Sequence, residues 1–132
     1  MSQADIDTIR ESYAGFNKGD MDAMARNVHP EFTVTDREEL PDPQTYEGAD
    51  GATEAASLAG EGFEDYRIDP DEIFEPREDV IVVVATQSGR GAASGAPVDG
   101  TIVHLWRMRD GKAISMHAYS SREQALQALD SE

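Results

Sequence analysis

The chain has 132 residues, 39% of them hydrophobic and 29% charged, with 27 acidic and 11 basic side chains for a net charge of −16. That length supports one core rather than two, and the acid excess speaks against a nucleic-acid or anionic-membrane partner, which needs a basic footprint. No cysteine is present, so disulfides, thiol catalysis and thiolate metal sites are excluded. The longest apolar run, Val80 to Ala85, is too short to span a bilayer. The N-terminus shows no basic-then-apolar signal, so a cytoplasmic location is expected. Lysine occurs only at 18 and 112, the other bases being arginine. Such an acid-rich, lysine-poor surface suits a salt-rich cytoplasm, or equally an ordinary acidic protein from a GC-rich genome.

The first third reads as helical. Ser2 and Asp5 offer a capping start, and Ile6, Ile9, Tyr13 and Phe16 recur at helical spacing. Gly19 supplies a left-handed stop and Asp20 a cap for a short second helix, with Met21, Met24, Ala25 and Val28 inward and Pro30 ending it. Glu31 to Thr35 predicts a strand with Phe32 and Val34 on one face. Asp36 to Tyr46, with Pro41 and Pro43, predicts a loop. Asp50 caps a third helix through Ala59, whose face of Ala52, Ala55, Ala56 and Ala59 is made of small residues.

The period then changes to two. Tyr66 to Phe74 predicts a strand in which Pro70 implies an edge or a bend. Asp79 to Ser88 and Val98 to Met108 predict two more, separated by a Gly/Ala/Ser turn region at Gly89 to Gly95. Asp110-Gly111 is a hairpin signal leading to a return strand from Lys112 to Ser120. Ser121 and Gln124 offer a capping box for a last helix with Ala125, Leu126 and Leu129. Helices segregated from an antiparallel sheet make an α+β domain, expected to span 1–132 as a single unit.

Several stretches together resemble the nuclear transport factor two-like superfamily, in its ketosteroid-isomerase-like and SnoaL-like polyketide-cyclase branch. They are the helix exit Phe16-Asn17-Lys18-Gly19-Asp20, the segment His29-Pro30-Glu31-Phe32-Thr33-Val34-Thr35-Asp36, the step Tyr46-Glu47-Gly48, and the hairpin from Leu105 to Ile114. The resemblance covers nearly the whole chain. It implies a curved antiparallel sheet wrapped around the N-terminal helices into a cone with an apolar pocket. It also implies a homodimer through the outer sheet face. The superfamily hosts isomerases, cyclases, hydrolases and non-catalytic modules, so the fold does not fix the function.

By this resemblance Asp36, at the end of the first strand, stands where ketosteroid isomerases carry their general base. A carboxylate there takes a carbon-bound proton next to a carbonyl and returns it to a neighbouring carbon. The competing reading is a solvated strand end beside Arg37-Glu38-Glu39. The isomerase oxyanion hole pairs a tyrosine with a protonated acid, and those positions fall on Ser12 and Val103. Tyr13 is one residue, about 100° of helix rotation, from the tyrosine place, so steroid isomerisation itself is not expected.

Matching Val103 to the inner face puts Thr101, Leu105 and Arg107 inward beside it. Met116 and Ala118 of the return strand, and Val83, Ala85 and Gln87 of the preceding one, join them. Phe16, Met24, Tyr46 and Phe63 close the expected pocket. Tyr46, Gln87 or Arg107 would then polarise a carbonyl. The same alternation sends His104, Trp106, His117 and Tyr119 outward, as aromatic dimer-interface residues. A register slip of one would instead turn this set into the pocket.

His29 reads as a helix-end residue. The three histidines are scattered, no calcium loop or dinucleotide fingerprint occurs, and no serine sits in a nucleophile elbow. No metal or cofactor is therefore expected. The expected partner is a small hydrophobic ligand, turned over by a cofactor-independent isomerase, cyclase or hydrolase with Asp36 as base. The alternatives are a non-catalytic ligand-binding or dimerisation module of the same fold, and a dimer whose cone is filled by its own side chains.

Overall fold

A computed structural model describes residues 3–132. Helix α1 (Gln3–Lys18) follows the predicted stripe and buries Ile9 and Tyr13; the expected cap at Ser2 lies outside the described residues. Gly19, at φ 76°, turns the chain. Asp20 then caps α2 (Met21–Arg26), its side chain accepting from the Ala23 N–H at 3.1 Å. The two helices touch at Gly15, where a Cβ would stand 2.9 Å from that of Ala23.

Strand β1 (Val28–Thr35) begins earlier than predicted, and Pro30 falls in an irregular stretch of its ladder, between Val28 and Thr33. The predicted loop contains a short strand, β2 (Thr45–Glu47), before α3 (Gly48–Ala59). Helix α3 starts earlier than its expected cap Asp50, which sits in its first turn. Then come β3 (Phe63–Arg77), β4 (Val80–Gly91), β5 (Pro97–Arg109), β6 (Lys112–Tyr119) and α4 (Arg122–Asp130). Ser121 caps α4 through Gln124 N–H at 3.1 Å, and the Gln124 side chain reaches back to the Ser120 N–H.

The six strands form one sheet in the order β2-β1-β6-β5-β4-β3. Among the described residues only β1 and β6 run parallel. Strand β3 is an edge, which accommodates Pro70 at a register break. Helices α1 and α3 cover the inner face, where Ile81, Val83, Ala85, Trp106 and Met108 join Ile9, Tyr13 and Phe32 in the main core. Helix α4 covers part of the outer face, packing Ala125 and Leu129 on Val80, Val82, Val103 and Leu105. The architecture is α+β, as predicted. Among the described residues no helix is long and apolar enough to cross a membrane.

The orientation of β5 differs from expectation. Asp110 and Gly111 both take positive φ and close a tight hairpin. Extended without interruption, that hairpin would pair Val103 with Ala118 and Leu105 with Met116. Instead the ladder steps from Met108↔Ala113 to Arg107↔Ser115, leaving Ile114 as a bulged extra residue. Beyond it, Trp106 pairs with Met116 and His104 with Ala118. Met116 and Ala118 stay inward as predicted, while His104 and Trp106 replace Val103 and Leu105 beside them.

Candidate functional site

The cone holds a chamber because α3 offers it only small side chains. Ala52, Ala55, Ala56 and Ala59 line one wall; Phe32, Trp106, Met116 and Ile102 line the sheet wall, and Tyr13, Phe16 and Met24 come from the N-terminal helices. The chamber encloses about 160 Å³. It opens into a vestibule of about 460 Å³ that shares Asp36, Ala55, Ala59, Tyr66, Ile102 and Ala118 with it.

One polar cluster interrupts the apolar wall. The Trp106 Nε1–H donates to the Tyr13 hydroxyl at 3.0 Å, and that hydroxyl lies 2.5 Å from His104 Nδ1. All three side chains are buried. The hydroxyl has one proton to give, and among the described residues His104 Nδ1 is the acceptor in reach. Hydrogen-bond accounting therefore makes Nδ1 the acceptor and leaves the ring proton on Nε2. Burial holds His104 down at about 4, with the Arg37 charge adding to the effect, so the ring is neutral at pH 7. Burial likewise pushes the Tyr13 hydroxyl far up, keeping it protonated. The result is a fixed, neutral N–H donor on the wall of an apolar chamber.

Asp36 lines both chamber and vestibule. Its backbone N–H donates to the Gln44 carbonyl at 3.0 Å, and its Oδ2 accepts from the Gln44 N–H at 3.1 Å. This two-way clamp fixes the carboxylate at the chamber mouth. Its other oxygen takes no hydrogen bond from the described residues. Tyr46 stands close enough that desolvation, then Asp36, Glu54 and Asp42, raise its hydroxyl above the usual tyrosine range. Tyr66 donates to Gln87 Oε1 at 2.7 Å across the vestibule.

The expected pocket residues divide. Phe16, Met24, Met116 and Ala118 line the chamber, and Tyr46, Phe63 and Gln87 line the vestibule. Val83 and Ala85 face inward but are wholly buried beneath the cavity as core. Thr101, Val103, Leu105 and Arg107 do not face the chamber: Val103 and Leu105 lie under α4, Thr101 is exposed, and Arg107 pairs with Glu132. His104 and Trp106, expected at a dimer interface, are instead chamber residues, for the reason of the Ile114 bulge. His117 and Tyr119 do stand on the outer face, their rings stacked at 4.5 Å. Ser12 lines the chamber with its hydroxyl turned back to the Thr8 carbonyl.

The favoured register sent His104 and Trp106 outward, the one-residue slip turned them inward as observed, and neither reading gave Tyr13 as their support. The all-alanine face of α3 was the visible signal for empty space. Among the described residues no cluster of three or more His, Asp or Glu is placed to hold a metal ion.

The profile of the SnoaL-like domain matches residues 9–116. No curated protein matches the chain. Among solved structures it is similar to TerC, co-crystallised with polyporic acid, at 27% identity and TM-score 0.78, covering 98% of this chain and 100% of that one. It is also similar to a putative SnoaL-like polyketide cyclase from Jannaschia sp. CCS1, at 20% identity and TM-score 0.78, covering 100% and 97%. A third is a hypothetical protein with a ketosteroid isomerase-like fold from Catenulispora acidiphila, in complex with trimethylamine, at 15% identity and TM-score 0.75, covering 91% and 89%. The chain belongs to the SnoaL-like domain family, and its fold is the ketosteroid-isomerase-like, nuclear transport factor two-like cone.

Proposed function

We propose that this SnoaL-like protein binds a small, mostly apolar carbonyl compound and moves a proton beside its carbonyl, as an isomerase or cyclase does. Asp36 is the general base and neutral His104 the donor that polarises the carbonyl oxygen. The observation that carries this reading is the buried Trp106–Tyr13–His104 chain, which presents Nε2–H in an apolar wall. A neutral imidazole suits the role because it donates to the developing enolate oxygen without surrendering its proton.

The uncoordinated oxygen of Asp36 removes the carbon-bound proton, and the electron pair moves onto the carbonyl oxygen as the His104 hydrogen bond strengthens. Where a double bond is conjugated with it, the enolate takes the proton back from Asp36 at the far end of that double bond, giving isomerisation; alternatively it attacks a second carbonyl in the same molecule and the new alkoxide takes the proton from Asp36, giving ring closure and restoring the carboxylate. The oxyanion donors absent at Ser12 and Val103 are thus replaced by the residue after Val103. One such donor is worth on the order of 10²-fold in rate. Arg107, turned to the outer face, has no part in it.

The test needs no knowledge of the natural substrate. Deuterium exchange beside the carbonyl of 2-tetralone, followed by proton NMR in D₂O, reads general-base action in the chamber. The wild type accelerates exchange over buffer, Asp36→Asn returns it to the buffer rate, and His104→Leu lowers it by about 10²-fold. No acceleration by the wild type, or an Asp36→Asn variant as fast as the wild type, contradicts the reading.

The near-absence of polar groups elsewhere in the chamber favours a second reading, a ligand-binding module without turnover. There Asp36→Asn leaves ligand affinity unchanged and no exchange is seen.

A further inference from the structure

We propose that the ligand of this site is an organic anion, its charged group held by Arg37 in the vestibule and its apolar body seated in the chamber. The proposal rests on the reading of the chamber as a ligand site and adds the chemical class of what enters.

Three observations carry it. The first is size. At about 160 Å³ the chamber alone is smaller than a typical small-molecule site, roughly 300–1,000 Å³, whereas chamber and vestibule together reach that range. A ligand that fills the site therefore runs through the mouth and past Arg37.

The second is charge. Arg26, Arg67, Arg90, Arg107, Arg109 and Arg122 each pair with a carboxylate. Of the other three, Arg10 is exposed on α1 and Arg77 donates to the Leu129 carbonyl, whereas Arg37 lines the vestibule with, among the described residues, no carboxylate within 4.0 Å of its guanidinium. Its hydrogen bond is a long one, 3.4 Å from Nη1 to the Ser120 hydroxyl, and that hydroxyl gives its own proton to Glu39 at 2.8 Å. Arg37 is half-buried and lines the vestibule, and its charge is felt by both Tyr66 and His104. A guanidinium left with vacant donors at the mouth of an apolar cavity matches a carboxylate, sulfonate or phenolate in a forked geometry. It is the one cation among the residues that line the vestibule, where Asp36 and Glu61 are the carboxylates, so an anionic head has a single place to dock.

The third is the apolar rim. Leu58, Phe63 and Val98 are the exposed large hydrophobic residues among those described, and all three line the vestibule. They extend the apolar surface from the chamber into the vestibule that Arg37 also lines, as a ligand with one charge on a large hydrocarbon frame requires.

The experiment uses two fluorescent probes with the same aromatic body. 8-Anilinonaphthalene-1-sulfonate carries an anionic group, and N-phenyl-1-naphthylamine lacks it. Each is titrated into wild type, Arg37→Gln and Ala55→Trp at low and high salt. We expect the wild type to prefer the sulfonate by about tenfold, the lower range for a charge-assisted hydrogen bond in a half-open site. Arg37→Gln removes that preference and leaves the neutral probe unchanged. High salt narrows it. Ala55→Trp, which fills the passage between chamber and vestibule, weakens both probes.

If the wild type binds the neutral probe as tightly as the sulfonate, or Arg37→Gln binds both as the wild type does, the selection of anions is overturned while the chamber reading stands. If neither probe binds the wild type, or Ala55→Trp leaves both unaffected, the chamber reading fails and this inference with it.

Discussion

Replacing Tyr13 by phenylalanine removes a single oxygen and tests the polar cluster on which the site depends. That oxygen accepts from Trp106 Nε1–H and engages His104 Nδ1, and all three residues are buried, at 5%, 8% and 5% exposure for Tyr13, Trp106 and His104. Phenylalanine keeps the packing and strands one donor and one acceptor. Each stranded group costs about 1–3 kcal/mol. Both groups border the chamber, which has room for a water, and a water bonded to both would offset part of the loss.

The net cost is then about 2–3 kcal/mol, a large share of a stability of about 5–15 kcal/mol. At about 3 °C per kcal/mol for a chain of this length, Tm falls by roughly 6–9 °C. Trp106 is the sole tryptophan, so its fluorescence reports unfolding of this cluster, with far-ultraviolet circular dichroism as the global measure. Tyr46→Phe is the control, since no hydrogen bond holds its hydroxyl among the described residues, and it should stay within about 0.5 kcal/mol. A Tyr13→Phe protein within about 2 °C of wild type, and no worse than Tyr46→Phe, would refute the reasoning.

Three further outcomes follow from the same geometry. His104 is held at about 4 in the fold against 6.5 when unfolded. The unfolded chain thus binds the extra proton first, and the contribution of His104 is complete above pH 6.5 and lost as pH falls toward 4. The loss is on the order of 3 kcal/mol. Urea melts of wild type and His104→Gln across this window should show a steeper decline in the wild type; parallel declines would contradict the burial of a neutral ring. Ala56→Leu fills the chamber from α3, so it should retain or raise Tm while weakening N-phenyl-1-naphthylamine at least about tenfold by fluorescence titration; unchanged affinity would place the ligand elsewhere. His117 and Tyr119 remain the proposed homodimer contact, and light scattering should show Tyr119→Arg shifting a dimer to monomer, whereas a monomeric wild type would end that proposal.

Much of the architecture was legible because helical and strand periods are set locally. The Ile9–Tyr13 stripe, the Asp20 and Ser121 caps, the Asp110-Gly111 hairpin and the edge position of Pro70 all follow from neighbouring residues. The face of β5 was not legible. Its inward set of Ile102, His104, Trp106 and Met108 and its outward set of Val103 and Leu105 are both largely apolar, because α1 and α3 cover one side and α4 the other. A period of two cannot orient a strand buried on both faces.

The hairpin register would have decided the matter, but the extra residue is Ile114, with neither glycine nor proline to mark a bulge. One unmarked residue thus exchanged Val103 and Leu105 for His104 and Trp106 on the chamber wall. Arg37 was hidden for a different reason: within Arg37-Glu38-Glu39 it reads as one charge in a solvated run. Only the fold shows it turned to the vestibule while Glu39 is held by Ser120.

The tautomer and charge of His104 test the account most directly, because the chamber offers a carbonyl a neutral Nε2–H donor only if Tyr13 gives its proton to Nδ1. Nitrogen-15 NMR of the histidine rings reads both nitrogens at once. A protonated Nε2 and a bare Nδ1 are expected for His104, unchanged from pH 8 to pH 5. A proton on Nδ1, or titration of His104 near 6.5, would contradict the account.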